Sequence, residues 1–145
     1  MTVEELRNEP AQTPYAPMTL ADLAGYLVGE AGGHARRWLL VLEFLEELQH
    51  ETVERRLSLI AAEPDFVDRD RWDVLLGALC EYVAIRNDGR VPAWCTKPER
   101  LWCGRAWFLS DLPSVRACAL SNSPASFRAR GIFLEPEDLG RDGRL

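Results

Sequence analysis

Apolar residues recur at helical spacing along the first part of the chain, as far as about Gly89. Thr19 and Asp22 form a capping-box pattern that predicts a helix start, and the Gly32-Gly33 pair predicts its end. The next helix is predicted over residues 34–50. Its apolar residues cover most of a helical wheel, so we expect this helix at the centre of the core.

Two further helices are predicted in the same part of the chain. Thr52 is expected to cap a helix that continues to about Ala62 and that Pro64 stops. A fourth helix is expected from Asp70, whose carboxylate suits a helix N-terminus, to the turn Asn87-Asp88-Gly89. Its apolar stripe comprises Trp72, Leu75, Leu76, Leu79 and Val83. These helices form the expected scaffold of the fold.

Beyond Gly89 the pattern changes to short elements punctuated by proline and glycine. It predicts one helix over residues 113–121 and a second, capped by Ser123, over residues 125–130. Residues 132–134 are apolar and predict a short extended segment. The predicted class is therefore all-α, with a minor β element at most.

The domain organisation follows from the same pattern. Residues 1–17, with three prolines among polar residues, are predicted to be a flexible N-terminal arm. Residues 18–145 are predicted to form one compact helical bundle with a Trp-rich, partly irregular C-terminal half. A chain of 145 residues that is 47% hydrophobic can bury a core of this size.

The charge distribution restricts the partners that we expect. The net charge of −6 opposes binding to phosphate backbones, so nucleic acid is not the expected partner. Residues 1–66 carry 5 arginines against 12 acidic residues, a balance of −7. Residues 67–145 carry 12 basic residues against 11 acidic ones, a balance of +1. Only the second half of the chain suits contact with a polyanion.

The start of the chain lacks the basic and apolar runs of a signal peptide, and no apolar run approaches the ~20 residues that span a bilayer. We therefore expect a cytoplasmic protein without a membrane partner. In that compartment the four cysteines are expected to be free thiols, with Cys80 and Cys118 buried in their helices.

Catalytic and metal motifs are weak throughout the sequence. Cys95 and Cys103 are too far apart for a zinc motif, and Glu47 with His50 supplies only one of the two Glu-x-x-His motifs of a di-iron bundle. We expect no enzyme, no cofactor and no metal. A thiol- or metal-dependent enzyme that uses Cys95 and Cys103 is the weakest alternative.

Three of the five tryptophans lie beyond Gly89, together with a series of spaced arginines. Trp and Arg are enriched where proteins recognise one another, although the rings can equally form a small satellite core. The candidate partner-binding residues are Trp94, Trp102, Phe127, Arg128 and Arg130.

A sequence-specific DNA-binding regulator is the main alternative function. Residues 114–131 can be drawn as helix, turn, helix, with arginines available for DNA contact. In the competing interpretation Arg128 and Arg130 pair with acidic residues such as Glu135 and Glu137.

A series of motifs runs through the chain from Trp72 onward: Trp72-Asp73, Pro92-Ala93-Trp94, Pro98-Glu99-Arg100-Leu101, Trp107-Phe108 and the run from Ser123 to Gly131. Together they resemble a segment that commonly lies C-terminal to a helix-turn-helix domain in actinobacterial transcriptional regulators. Some of these regulators look like antitoxins encoded beside nucleotidyltransferase-type toxins. Residues 1–66 do not carry the helix-turn-helix pattern itself.

This resemblance implies a regulatory role and no catalytic residue. The predicted function is accordingly a non-enzymatic protein-interaction or regulatory module of the antitoxin-like kind. Its expected partner is a protein, with a toxin as one candidate, or further copies of the same chain.

Overall fold

Helices make up most of residues 16–140, the part of the chain that the computed structural model describes. The α-helices are α1 (Leu20–Gly29), α2 (His34–Gln49), α3 (Val53–Leu59), α4 (Arg71–Arg86), α5 (Pro113–Asn122) and α6 (Ala125–Arg128). Short 3-10 helices span Ala93–Thr96, Pro98–Arg100 and Pro136–Leu139. The strands are β1 (Trp107–Phe108) and β2 (Ile132–Phe133). The fold is therefore predominantly helical, as predicted, with a small β element.

Hydrogen bonds confirm the predicted helix starts at Thr19 and Thr52. The Thr19 hydroxyl accepts from the backbone N–H of Asp22, and the Asp22 carboxylate accepts from that of Thr19, both at 3.0 Å. The Thr52 hydroxyl accepts from the backbone N–H of Arg55 at 3.2 Å. Such caps pair N–H groups that have no partner within the helix, so the local sequence fixes where α1 and α3 begin.

The helix at the centre of the core is α4, so the expectation that α2 lies there is wrong. Twelve of the sixteen residues of α4 are buried, because α1, α3, α6 and the first two 3-10 helices all pack against it. The fully or nearly fully buried residues of α2 are Val41, Phe44, Leu45 and Leu48. A chain can carry more apolar residues than its core accommodates, and α2 shows this excess.

Pro17 and Met18, which precede the cap residue Thr19, belong to the folded part of the chain. Pro17, predicted to lie in the arm, is buried, and the backbone N–H of Met18 donates to the Glu47 carboxylate at 3.0 Å. Residues 1–15 of the predicted arm lie outside the described part of the chain.

The extended segment predicted over residues 132–134 forms one half of a parallel strand pair. Trp107 lies opposite Ile132, and Phe108 lies opposite Phe133. The connection between the two strands contains α5 and α6. Parallel strands always need such a crossover, so the pairing fixes where both short helices lie.

Ser123 has a different role from the predicted N-cap of α6, because Pro124 occupies the cap position. The Ser123 hydroxyl contacts the carbonyl of Ala119 at 2.5 Å and accepts from the backbone N–H of Leu134 at 3.0 Å. Ser123 thereby ties the end of α5 to the residue after β2.

Candidate functional site

The five predicted partner-binding residues divide into two groups by exposure. The Trp102 side chain is 52% exposed, and Arg128 is also at the surface. The other three, Trp94, Phe127 and Arg130, are buried. Buried side chains cannot contact a partner directly in this conformation, so their roles are internal.

Arg130 connects three segments of the fold to one another. Its Nε donates to the carbonyl of Arg100 at 2.9 Å, and its Nη1 donates to the carbonyl of Ser126 at 2.8 Å. Its Nη2 donates to the carbonyl of Cys95 at 2.8 Å and to the Glu81 carboxylate at 3.0 Å. The predicted pairing with Glu135 or Glu137 is therefore wrong for Arg130, whose carboxylate partner is on α4.

A second buried arginine, Arg100, forms an ion pair that the sequence did not indicate. Its Nη1 lies 3.4 Å from the carboxylate of Asp73, and both side chains are fully buried. Its Nη2 donates to the carbonyl of Pro64 at 2.6 Å. The Asp73 carboxylate also accepts from the backbone N–H groups of Val67, Asp68 and Arg69 at 2.7, 3.2 and 2.6 Å. This pair therefore attaches the 3-10 region to α4 and to the segment that precedes it.

The buried tryptophans belong to the main hydrophobic core, and one of them helps to hold Arg100. The guanidinium of Arg100 lies over the rings of Phe66 and Trp94, at 4.4 and 5.2 Å from their centroids. Trp72 and Trp107 pack edge to face with centroids 5.1 Å apart. Arginine stacks readily on aromatic faces, so Trp94 supports the ion network rather than an exposed surface.

Arg128 caps the C-terminal end of α5. Its Nη2 donates to the carbonyls of Ser121 and Ser123 at 3.2 and 2.7 Å. Carbonyls at a helix C-terminus lack partners within the helix, and a cation there interacts favourably with the helix dipole. The prediction that Arg128 pairs with Glu135 or Glu137 is thus replaced by a capping role.

The segment proposed as helix, turn, helix does not have the shape of a DNA-reading unit. The helix in the recognition position, α6, has only four residues, and Phe127 on it is fully buried. Arg130 is equally inaccessible. A recognition helix presents several polar side chains to base edges, which α6 cannot do.

The described cysteines and histidines are not gathered into a metal-binding group. Burial raises the pKa of the Cys80 and Cys95 thiols above their ordinary value, which suppresses the reactive thiolate. Cys118 is exposed, so its predicted burial is wrong. Over residues 16–140, no group of three His, Cys, Asp or Glu side chains is placed to hold a metal ion. His50 lies 3.4 Å from Glu46 rather than beside Glu47.

An apolar groove runs along the exposed side of α2, between this helix and the last 3-10 helix. Its volume is about 530 Å³. Leu39 at its edge is 59% exposed, while Leu45 and Leu139 are buried. We call this feature the α2 groove; its lining residues are Leu39, Leu42, Glu43, Leu45, Glu46, Glu47, Gln49, Leu139 and Gly140.

The sequence of α2 contains a signal for the α2 groove. The apolar residues of α2 extend beyond the stripe that one packed face requires. Such an excess indicates either burial on several sides, as predicted, or an uncovered apolar face. The second explanation is the correct one for Leu39.

None of the helices described over residues 16–140 is long and apolar enough to cross a membrane.

In comparisons with known proteins, the chain matches no family model, no curated protein and no solved structure.

Proposed function

We propose that this protein is a single helical-bundle domain that acts as a non-enzymatic interaction or regulatory module. Its docking surface is the α2 groove. The observation that carries the proposal is the apolar groove along α2, where Leu39 is 59% exposed and Leu42 is half-buried, on a long helix whose other side is packed in the core. Covering one such leucine contributes about 1.5–3 kcal/mol, so the surface favours an apolar occupant.

The charges at the rim define the chemistry of that occupant. Glu43, Glu46 and Glu47 line the α2 groove, and the described lining contains no basic side chain. The occupant that suits this surface is an amphipathic helix with an apolar face and basic flanks. A second copy of the chain fits less well, because it brings three more glutamates against the first three.

The resemblance to antitoxin-like regulators gives this proposal a biological setting. A toxin-type protein partner with a basic helix matches both the resemblance and the acidic rim. Trp102 and Arg128 are the remaining surface candidates from the second half. They would belong to a separate contact, since neither lines the α2 groove.

The experiment uses a synthetic leucine–lysine peptide of about five helical turns, or about 18 residues. Its controls are a scrambled peptide of equal composition and a leucine–glutamate peptide with the same pattern. Titration of the labelled protein, followed by amide NMR shifts, should show binding of the basic amphipathic peptide. The shifted amides should lie on α2 and residues 136–140.

Two leucine variants provide the matched comparison. Leu39→Asn should weaken binding about tenfold, because it removes apolar contact and places a polar amide in the groove without changing its charge. Leu120→Asn alters a leucine of similar exposure on α5, outside the groove, and should leave the affinity unchanged. Unchanged circular dichroism must show that both variants are folded. Equal affinities for the two variants, or equally tight binding of the glutamate peptide, would overturn the proposal.

A further inference from the structure

A second cavity lies where α2 and α4 begin, against the loop that carries β1. Its volume is about 680 Å³, within the range of small-molecule sites. No residue lines both this cavity and the α2 groove. The side chains that determine its chemistry are His34, Arg71, Arg105, Arg116, Trp107 and the carboxylate of Asp111.

Aromatic rings hold two of the three guanidinium groups in place. The guanidinium of Arg71 lies 4.9 Å from the centroid of Trp107, and that of Arg116 lies 5.0 Å from the centroid of Phe108. Arg116 is further fixed because its Nε donates to the carbonyl of Ser110 at 2.9 Å. Guanidinium groups held in this way lose little rotational freedom when they bind an anion.

The charges of the cavity do not balance. Arg105 pairs with Asp70 at 2.8 Å, and Arg116 pairs with Asp111 at 3.1 Å. Within residues 16–140, Arg71 lies within ion-pair distance of no acidic side chain, and its guanidinium lies over the Trp107 ring. One positive charge of the cavity is therefore left for a ligand.

His34 lines the cavity beside Arg71 and is held in its neutral form. Burial lowers its pKa from the ordinary value, the charge of Arg71 lowers it further, and Asp111 acts in the opposite direction. A neutral imidazole beside Arg71 offers one N–H donor without adding a competing charge.

We infer that this cavity binds the phosphate group of a small phosphate monoester. Two oxygens of a phosphate group can accept parallel hydrogen bonds from the guanidinium of Arg71. Arg105, Arg116 and His34 supply further hydrogen-bond donors around the phosphate. The cavity volume exceeds that of a bare phosphate ion, which leaves room for an organic group against Phe108 and Leu109.

The test is a calorimetric and NMR titration of the whole protein with adenosine monophosphate, inorganic phosphate and adenosine. The monophosphate should bind, inorganic phosphate should bind more weakly at the same residues, and adenosine should not bind. Affinity should fall as salt is raised, and the pKa of His34 should rise when the anion is bound. Binding of adenosine as tight as that of the monophosphate would overturn the inference.

Arginine variants locate the site. Arg71→Met should weaken the monophosphate affinity about tenfold, and Arg71→Lys should recover part of it because the charge remains. Arg90→Met removes an exposed arginine outside the cavity and should change nothing. If Arg71→Met proves misfolded, the comparison of Arg71→Lys with Arg90→Lys replaces it. Equal losses in the Arg71 and Arg90 variants, or tighter binding of a DNA duplex than of the monoester, would contradict the inference.

Discussion

Two buried arginines join the irregular second half of the protein to α4. Arg100 reaches Asp73, and Arg130 reaches Glu81 and the carbonyl of Cys95. The buried ion pairs of Arg100 and Arg130 could not be predicted from the sequence, because the paired residues are far apart in the chain and arginine is usually exposed. No local spacing shows that a guanidinium will be buried; only the tertiary arrangement brings its acceptors together.

The buried pair of Asp73 and Arg100 should be sensitive to the loss of one charge. In Asp73→Asn the charge of Arg100 remains buried without its closest counter-ion, and two backbone N–H groups lose an acceptor. We expect a loss of about 3 kcal/mol in the free energy of unfolding. Urea unfolding, with the slope compared between variants, measures this loss.

An exposed pair supplies the comparison for that variant. Arg55 and Glu51 lie 4.0 Å apart on the surface of the protein. Glu51→Gln should cost less than about 1 kcal/mol, since solvent screens exposed pairs. Similar losses for Asp73→Asn and Glu51→Gln would show that the buried network does not stabilise the fold.

The local sequence predicts where the helices begin and end better than it predicts how they pack. The caps at Thr19 and Thr52 and the turn after α4 follow from residues a few positions apart. The relative burial of α2 and α4 depends instead on which elements cover each helix. Both sequences are apolar on most sides, so their periodicity could not decide which one is central.

Two helical glycines should respond in opposite ways to the same substitution. A Cβ on Gly77 of α4 would lie 2.9 Å from the carbonyl oxygen of Arg100 and 3.2 Å from that of Cys95. Gly77→Ala should therefore push the 3-10 helices away and cost about 1–3 kcal/mol. Gly25→Ala on α1 meets no atom within 4 Å and should stabilise the protein by up to about 1 kcal/mol.

Thermal and urea unfolding of the two glycine variants provides the measurement. Helix propensity alone predicts stabilisation in both cases, so the sign for Gly77→Ala separates propensity from packing. A gain in stability for that variant would mean that the close approach of the 3-10 helices to α4 is absent in solution.

At the scale of the whole molecule, the two concave sites differ in the charges that surround them. The α2 groove is apolar with an acidic rim, while the cavity beside Arg71 has an excess of positive charge. The sequence did not place either site, because the cavity combines residues from α2, α4 and the loop around β1 and the groove needs Leu139 beside α2.

The two halves of the chain should unfold together. Elements from both of them pack on α4, and the arginine network crosses between them. We expect urea transitions measured by circular dichroism and by tryptophan fluorescence to coincide, since small single domains usually unfold in two states. Three of the five tryptophans lie beyond Gly89, so a fluorescence transition at lower urea would show that this part detaches first.

The burial of Arg100 and Arg130 also has a consequence for proteolysis. Trypsin must take an arginine side chain into its own specificity pocket, and here both guanidinium groups are already engaged inside the protein. The peptide bonds after these residues are therefore cleavable only in molecules whose second half has left α4. Exposed arginines such as Arg90 carry no such protection. The ratio of cleavage after Arg100 to cleavage after Arg90 is thus a direct measure of how often the molecule opens.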